Sequence, residues 1–291
     1  MKLQIGMPVY NGERYVKSAL DSLIKQTYTG WELIISNNAS TDNTGQIIEQ
    51  IASSENRIRV INQAENIGAA ANFRFVFEQT AAPYFMWAAC DDVWEPEFIE
   101  KCIALHLNNK NLGLTFSNIV NINNKGFVNR RYNDFNRLIS DEDKATVCNY
   151  ILDNEYNGKA NLIYGIYKRE LCAEVLNTGV FNAKWGSDYA FVTAILCRSQ
   201  LGIVPEILFK KRLPNMQTVN FMLLSTSLFD EYCSNLYLAA QKTSFEKEIE
   251  ACLKKKKMIL QTEKKLIAKK SFYTYINRML YMMLHNHNFK R

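Results

Sequence analysis

The stretch Tyr84-Phe-Met-Trp-Ala-Ala-Cys-Asp-Asp-Val-Trp-Glu-Pro96 decides how the chain is read. An apolar run from Tyr84 to Cys90 stops at two adjacent carboxylates, Asp91 and Asp92. Pro96 then opens a helical pattern over Glu97–Leu107. Strand, acidic tip and helix start, in that order, put two negative charges at the carboxyl end of a buried strand. Open α/β sheets bind their ligands at this edge.

The same alternation recurs on both sides of that stretch. Leu3–Val9 reads as a strand closed by the loop signal Asn11-Gly12, and Tyr15, Val16, Ala19, Leu20, Leu23 and Ile24 follow at helical spacing. A strand at Trp31–Ser36 leads into the polar loop 37–44, and Thr44 starts a helix carried by Ile47, Ile48 and Ile51. Ile58–Ile61 is a third strand, and Asn66-Ile-Gly-Ala turns into a helix through Phe73, Val76 and Phe77. Beyond the acidic tip come a strand at Leu112–Ile122 and a polar excursion, Asn123–Tyr156, with a helix near Asp141–Leu152. Long excursions of this kind serve as lids or binding segments. A strand at Asn161–Tyr167, a helix at Lys168–Leu176, a helix N-capped by Ser187 and a closing strand at Gly202–Leu213 complete the pattern. It predicts a mostly parallel sheet with helices on both faces. No GxGxxG follows the first strand and no GxxxxGK[ST] occurs, which argues against dinucleotide and P-loop versions of the fold.

After Pro214 the pattern is helical only: Leu224, Leu228, Tyr232 and Leu236, then Tyr273, Ile276, Leu280 and Leu284. The expected division is a catalytic domain over 1–215 and a helical module over 216–291. Residues 222–291 carry 13 Lys+Arg against 6 Asp+Glu, while the remainder carries 22 against 23. The net charge of +6 therefore belongs to the tail. That charge and the aromatic stripe Phe272, Tyr273, Tyr275 and Tyr281 suit an anionic membrane surface; a solvated face, a core cover or a homo-oligomer contact suits them equally. With 47% hydrophobic and 22% charged residues the chain is a folded protein, and no apolar run approaches the ~18 residues of a membrane span. Seven cysteines without a CxxC argue against a disulfide framework or a zinc site, and the expected location is cytoplasmic. His106, His285 and His287 show no metal-ligand spacing, and no nucleic-acid-binding module is recognisable.

Five stretches, in order over residues 3 to 215, resemble bacterial glycosyltransferase family 2, whose enzymes have the Rossmann-like GT-A fold. They are Met7-Pro-Val-Tyr-Asn-Gly-Glu13, Ile35-Ser-Asn-Asn-Ala-Ser-Thr-Asp-Asn-Thr44, Asn66-Ile-Gly68, Asp91-Asp92 and Trp185-Gly-Ser-Asp188. The resemblance implies inverting transfer of a sugar from a nucleotide-diphosphate donor, UDP-sugars favoured, to a hydroxyl of a surface glycan such as capsule, O-antigen or lipopolysaccharide. The acceptor would be a glycan on a lipid carrier, met at the inner face of the cytoplasmic membrane. It further implies a nucleotide cradle of Pro8, Tyr10, Glu13, Asn37, Asn38, Asn66 and Asp91. Asn37 stands where the family often has an Asp; its amide still pairs with a pyrimidine, and turn chemistry explains it equally well.

The resemblance also implies a Mn2+ or Mg2+ ion on an Asp-x-Asp motif. Ala89 falls at the first Asp, so Asp91 becomes the direct ligand and Asp92 a second ligand or an orienting group. Lys210, Lys211 and Arg212 are phosphate-contact candidates, and Trp94 and Trp185 are sugar or acceptor candidates. Asp188 takes the place of the general base, where the helix dipole lowers its pKa and burial raises it. A competing reading keeps the GT-A fold but makes the chain a non-catalytic nucleotide-sugar-binding or scaffold protein, because Ala89 and Asn37 remove charges the family uses. A nucleotidyltransferase needs a glycine-rich basic loop that Met7–Gly12 lacks.

Overall fold

The computed structural model describes residues 2–132, 134–154, 157–182, 186–213, 226–259 and 261–262. β1 (Leu3–Val9), β2 (Trp31–Asn37), β3 (Ile58–Asn62) and β4 (Tyr84–Trp87) pair in parallel in the spatial order β3-β2-β1-β4. Three helices return the chain between them: α1 (Val16–Ile24), α2 (Thr44–Ala52) and α3 (Ala69–Glu78). The apolar positions read from the sequence are their buried faces, Val16, Ala19, Leu20 and Leu23 on α1 and Val76 and Phe77 on α3.

After β4 the chain adds β5 (Val93–Trp94), α4 (Phe98–Asn108), β6 (Leu112–Ile122), β7 (Val128–Tyr132) and α5 (Asp143–Leu152). Next come β8 (Ile166–Lys168), α6 (Arg169–Leu176), α7 (Ser187–Leu196) and β9 (Gln200–Arg212). β8 lies antiparallel between β4 and β6, β9 runs parallel to β6, and β5 and β7 pair antiparallel with β9 and β6. The result is a nine-stranded, mixed, mostly parallel sheet flanked by helices. Every residue of β4 and of β6 is buried, which is why β4 reads as an apolar run without alternation; β6 buries Thr115, Ser117, Asn118 and Asn121 along with its apolar residues. Trp87 anchors the centre, 0% exposed, with its ring 5.7 Å from Phe181 and 5.2 Å from Phe191 and its indole N–H donated to the Phe73 carbonyl at 3.0 Å.

Three local expectations fail for physical reasons. Asn161–Tyr167 is a strand only at its end, because Lys159–Tyr164 forms a 3-10 turn. Gly158 enters that turn at φ 79°, and the buried Lys159 ammonium binds the carbonyls of Tyr150, Ile151 and Asp153 at the end of α5. The excursion after β6 begins with a hairpin strand, β7, whose first four residues are exposed and so carry no burial pattern. Ser187 is the first residue of α7 and not its cap; the cap is Gly186, at φ 75°.

Past β9, α8 (Thr226–Ala240) lies on α7 and α9 (residues 246–259) lies against α5. Tyr232 meets Tyr189 edge to face at 5.8 Å, and Arg198 donates to the Ala239 carbonyl at 3.0 Å. Lys144 pairs with Glu248 at 2.5 Å, Lys256 donates to the Asp153 carbonyl at 2.8 Å, and Cys148 and Cys252 form a disulfide with Cα atoms 6.0 Å apart. One bond, with five cysteines free, therefore qualifies the expectation of no disulfide framework. Leu236, Ala239, Ala240 and Ile249 are fully buried in the same cluster as the sheet residues, so the core runs across the expected boundary at 215/216. The stripe Phe272, Tyr273, Tyr275 and Tyr281 lies outside the described residues. Among those described, no helix is long and apolar enough to cross a membrane.

Candidate active site

The chain enters at β1, steps to β2 and β3 on one side, and returns to β4 on the other. The switch point of the sheet therefore lies between the carboxyl ends of β1 and β4. A cavity of about 620 Å³ opens there, within the range of small-molecule sites. Its walls come from four segments: Pro8–Gly12 and Tyr15; Asn38 with Asn66, Gly68 and the α3 residues Ala69, Asn72 and Phe73; Ala89–Asp91; and Tyr164 with Lys211. A second cavity, about 660 Å³, lies at the other end of β9 and includes Lys110, Lys168, Glu174 and Arg198. Arg198 is already paired with Glu174 at 2.8 Å there, and no ligand chemistry converges on it.

Asparagine amides build the floor of the first cavity. Asn38 is 2% exposed; its amide donates to Asn66 Oδ1 at 2.9 Å and its carbonyl oxygen accepts the Ile67 N–H at 2.9 Å. These bonds hold the turn that enters α3 through Gly68. Asn72 and Ser36 exchange bonds of 2.6 and 3.1 Å behind it. Asn37, in contrast, turns its amide to Asn62 at 2.9 Å and its oxygen to the Ser40 N–H at 3.2 Å, and it does not line the cavity. Glu13 likewise accepts the Asn43 N–H at 3.0 Å and stays outside. Turn chemistry accounts for both. Pro8 and Tyr10, 47% exposed, remain at the wall. Gly12 fits a close approach: a Cβ there would stand 3.0 Å from Cys90 Sγ, which would have to shift to admit it.

The acidic tip divides its two carboxylates between different tasks. Asp91 faces the cavity. Asp92 is 0% exposed; one oxygen accepts from Lys211 Nζ at 3.0 Å and the other from the Arg212 N–H at 2.9 Å. Burial pushes its carboxyl up to about 6 against the pull of Lys211, so the pair is charged at neutral pH. Burial works against the Lys211 ammonium, but Asp92, Tyr164 and Asp91 outweigh it and hold its pKa above the ordinary lysine value. Of the three phosphate-contact candidates, Lys211 alone reaches the cavity. Lys210 pairs with Glu95 at 2.5 Å, and Arg212 is buried, donating to the carbonyls of Asp91 and Asn123 at 2.9 and 3.0 Å over the Tyr15 ring.

Asp188 sits in the first turn of α7, its carboxylate accepting the Tyr189 N–H at 2.9 Å. Burial pushes it up to about 6; backbone N–H groups and the Lys159 charge oppose the rise. It does not line the cavity. Tyr164 does, and its hydroxyl, pushed up to about 12 chiefly by burial, lies within electrostatic reach of Asp92, Asp91 and Asp188. Trp94 does not line the cavity. Pairing of β5 with β9 buries it to 2% exposure, 5.6 Å from Phe209, with its backbone N–H donated to Ser22 Oγ. Trp185 lies outside the described residues.

Among the described residues the cavity offers too few side chains to hold a divalent ion by themselves. Ala89 offers no ligand atom, Asp92 is enclosed and paired, and Asp91 is left as the single carboxylate. Among the described residues, no three His, Cys, Asp or Glu side chains converge. Sequence reasoning missed Asn72 and Tyr164. Asn72 was findable as the polar residue on the otherwise apolar face of α3, whereas Tyr164 was hidden by the strand reading of its turn.

Residues 4–163 match the model of glycosyl transferase family 2. A relative, the UDP-Glc:alpha-D-GlcNAc-diphosphoundecaprenol beta-1,3-glucosyltransferase WfgD of Escherichia coli, is 29% identical over 128 residues. The match covers 44% of this chain and 49% of that protein, so the chain spans about half the length of that relative. S. aureus TarS 1–349 in complex with UDP superposes with a TM-score of 0.66 at 16% identity, covering 88% of this chain and 70% of that one. The mannosyltransferase PcManGT from Pyrobaculum calidifontis, in complex with GDP-Man and Mn2+, superposes with a TM-score of 0.57 at 15% identity, covering 97% and 85%. Those two likenesses speak for the fold; the family match, over more than half the chain, identifies the lineage. The chain belongs to glycosyltransferase family 2.

Proposed function

We propose that the chain transfers a sugar from a nucleotide-diphosphate donor, most simply a UDP-sugar, to a hydroxyl of a bacterial surface-glycan acceptor by a single inverting displacement. The observation that carries this reading is the cavity at the sheet's switch point, whose lining combines Asn38 and Asn66 with Asp91 and Lys211. The amides suit a nucleobase or ribose, and the charged residues suit a diphosphate. Asp188 is the proposed general base. Its carboxyl, up at about 6, is ionised at neutral pH and basic enough to take a proton as the acceptor oxygen attacks. The Gly186 turn beside it packs against Tyr232 of α8, and Tyr164 interacts electrostatically with Asp188 and with both carboxylates of the acidic tip.

Asp91 is the residue that would hold a Mn2+ or Mg2+ ion arriving with the diphosphate. Such an ion supplies Lewis-acid stabilisation of charge on the leaving phosphates. The acceptor of the Escherichia coli relative, named as a diphosphoundecaprenol-linked sugar, makes a lipid-linked glycan the acceptor class to test first. The basic C-terminal segment would then rest on an anionic membrane, and unchanged liposome binding after deletion of residues 263–291 would remove that role.

The decisive experiment is a thermal-shift panel of UDP, GDP, CDP and dTDP with and without Mn2+, followed by a transfer assay of Asp188→Ala. A nucleotide that binds only the folded state raises its melting temperature. One nucleotide should stand out, and Asp188→Ala should bind it while losing transfer by at least 100-fold. Equal transfer by Asp188→Ala would dismiss the base; no shift with any nucleotide would dismiss the function and favour a scaffold.

A further inference from the structure

We propose that Lys211, pinned by Asp92, is the fixed cation that receives the donor's diphosphate, so that the site binds a nucleoside diphosphate without a divalent metal. This rests on the donor reading above and adds what holds the phosphates.

The argument begins with strand periodicity. Side chains alternate along β9, so Lys210 and Arg212 point one way and Lys211 the other. Lys210 ends at Glu95 and Arg212 at backbone carbonyls, whereas Lys211 ends at the cavity wall beside Asp91 and Ala89. Its side chain is 17% exposed and its partner's is 0% exposed. The ammonium is fixed from two sides, by Asp92 at 3.0 Å and by the Tyr164 ring at 4.9 Å. An ammonium has three N–H donors. Asp92 takes one, and the cavity side is where an anion can take another.

A buried ion pair is weak evidence for a stability role, because apolar replacements of the same size are often no worse. Here one member reaches a cavity and the other is wholly enclosed. That asymmetry is what a preorganised charge requires: Asp92 holds the cation in place before the ligand arrives, so no reorganisation is needed on binding. The same geometry removes Asp92 from the metal-binding set, and Ala89 supplies nothing. A divalent ion would find one carboxylate here, Asp91, and would draw its other oxygens from the phosphates and water. Lys211 needs no such partners, so its positive charge stands in the wall before any ligand or ion arrives.

The test uses the full-length chain and titration calorimetry with UDP, UMP and inorganic pyrophosphate, in EDTA and in Mn2+. In EDTA the wild type should bind UDP at least 10-fold more tightly than UMP, and pyrophosphate should compete. The double variant Lys211→Met with Asp92→Asn removes both charges together and leaves no buried ion unpaired. It should lose the preference for UDP over UMP in EDTA while keeping its circular dichroism spectrum. Loss of UDP binding by the wild type in EDTA overturns the proposal without reference to any variant, as does a folded double variant that still prefers UDP. If UDP binds with Mn2+ only, this inference fails and the donor reading stands. If neither UDP nor pyrophosphate binds under any condition, the donor reading fails with it.

Discussion

Replacing Asp188 by Asn should make the protein inactive and, above pH 6, more stable. The carboxyl rises from the usual 3.8 to about 6, chiefly because burial disfavours its charge. At about 1.4 kcal/mol per pH unit a rise of that size corresponds to about 3 kcal/mol of destabilisation by the ionised carboxylate. Partial water access to the side chain reduces the expected gain for Asp188→Asn to about 1–2 kcal/mol. The sign follows from proton linkage. Between about pH 4 and 6 the folded chain holds a proton that the unfolded chain has released, so the wild type loses stability as pH rises through that window. The variant lacks this loss. Urea denaturation of both proteins at pH 4 and pH 8 reads the effect directly: curves close together at pH 4, and the variant more stable at pH 8. Equal stability at pH 8, or a difference already present in full at pH 4, would refute the assignment of Asp188 to a desolvated site. The wild-type kcat/KM should fall below pH 6 as the same group protonates.

Other perturbations separate the cavity from its scaffold. Asn38→Ala removes the side-chain bonds to Asn66, Ile67 and Gly68 that tie down the 66–68 turn and should weaken UDP binding about 10-fold while costing about 1–3 kcal/mol of stability; unchanged affinity in calorimetry would place the nucleotide elsewhere. Trp94→Ala should cost about 3–5 kcal/mol in denaturant melts with no change in donor KM, because the ring is core and not subsite. Thiol titration of the denatured, unreduced protein should count five free cysteines of seven, with Cys148 and Cys252 absent from the count; seven would show that α5 and α9 are not covalently joined.

Much of the fold was legible because the periodicities were clean. The buried stripes of α1 and α3 and the apolar run of β4 report burial directly, and burial is what orders the sheet. Pairwise events separated far along the chain were not legible. The Asp92–Lys211 pair spans 119 residues and the Cys148–Cys252 bond 104, and no local pattern encodes either partner. Asp92 looked like a ligand because its sequence neighbours do; whether it faces a cavity or the core is decided by where β9 lands. Asn37 and Asn38 are adjacent and identical, yet one builds a turn and the other a cavity floor. Tyr164 was misplaced because Gly158 and Lys159 redirect the chain into a 3-10 turn that an apolar run does not announce.

The contact of α8 with the start of α7 bears on how the protein is made. A Cβ at Gly186 would stand 2.8 Å from the Tyr232 ring, so helix α8 seats directly on the turn that presents Asp188. Every wall of the nucleotide cavity has been synthesised by residue 211, but that seat arrives only with α8. During vectorial synthesis the chain completes the proposed donor pocket before the support for Asp188, the proposed general base, exists. On that reading a nascent chain stalled between those points would bind nucleotide and hold it unused.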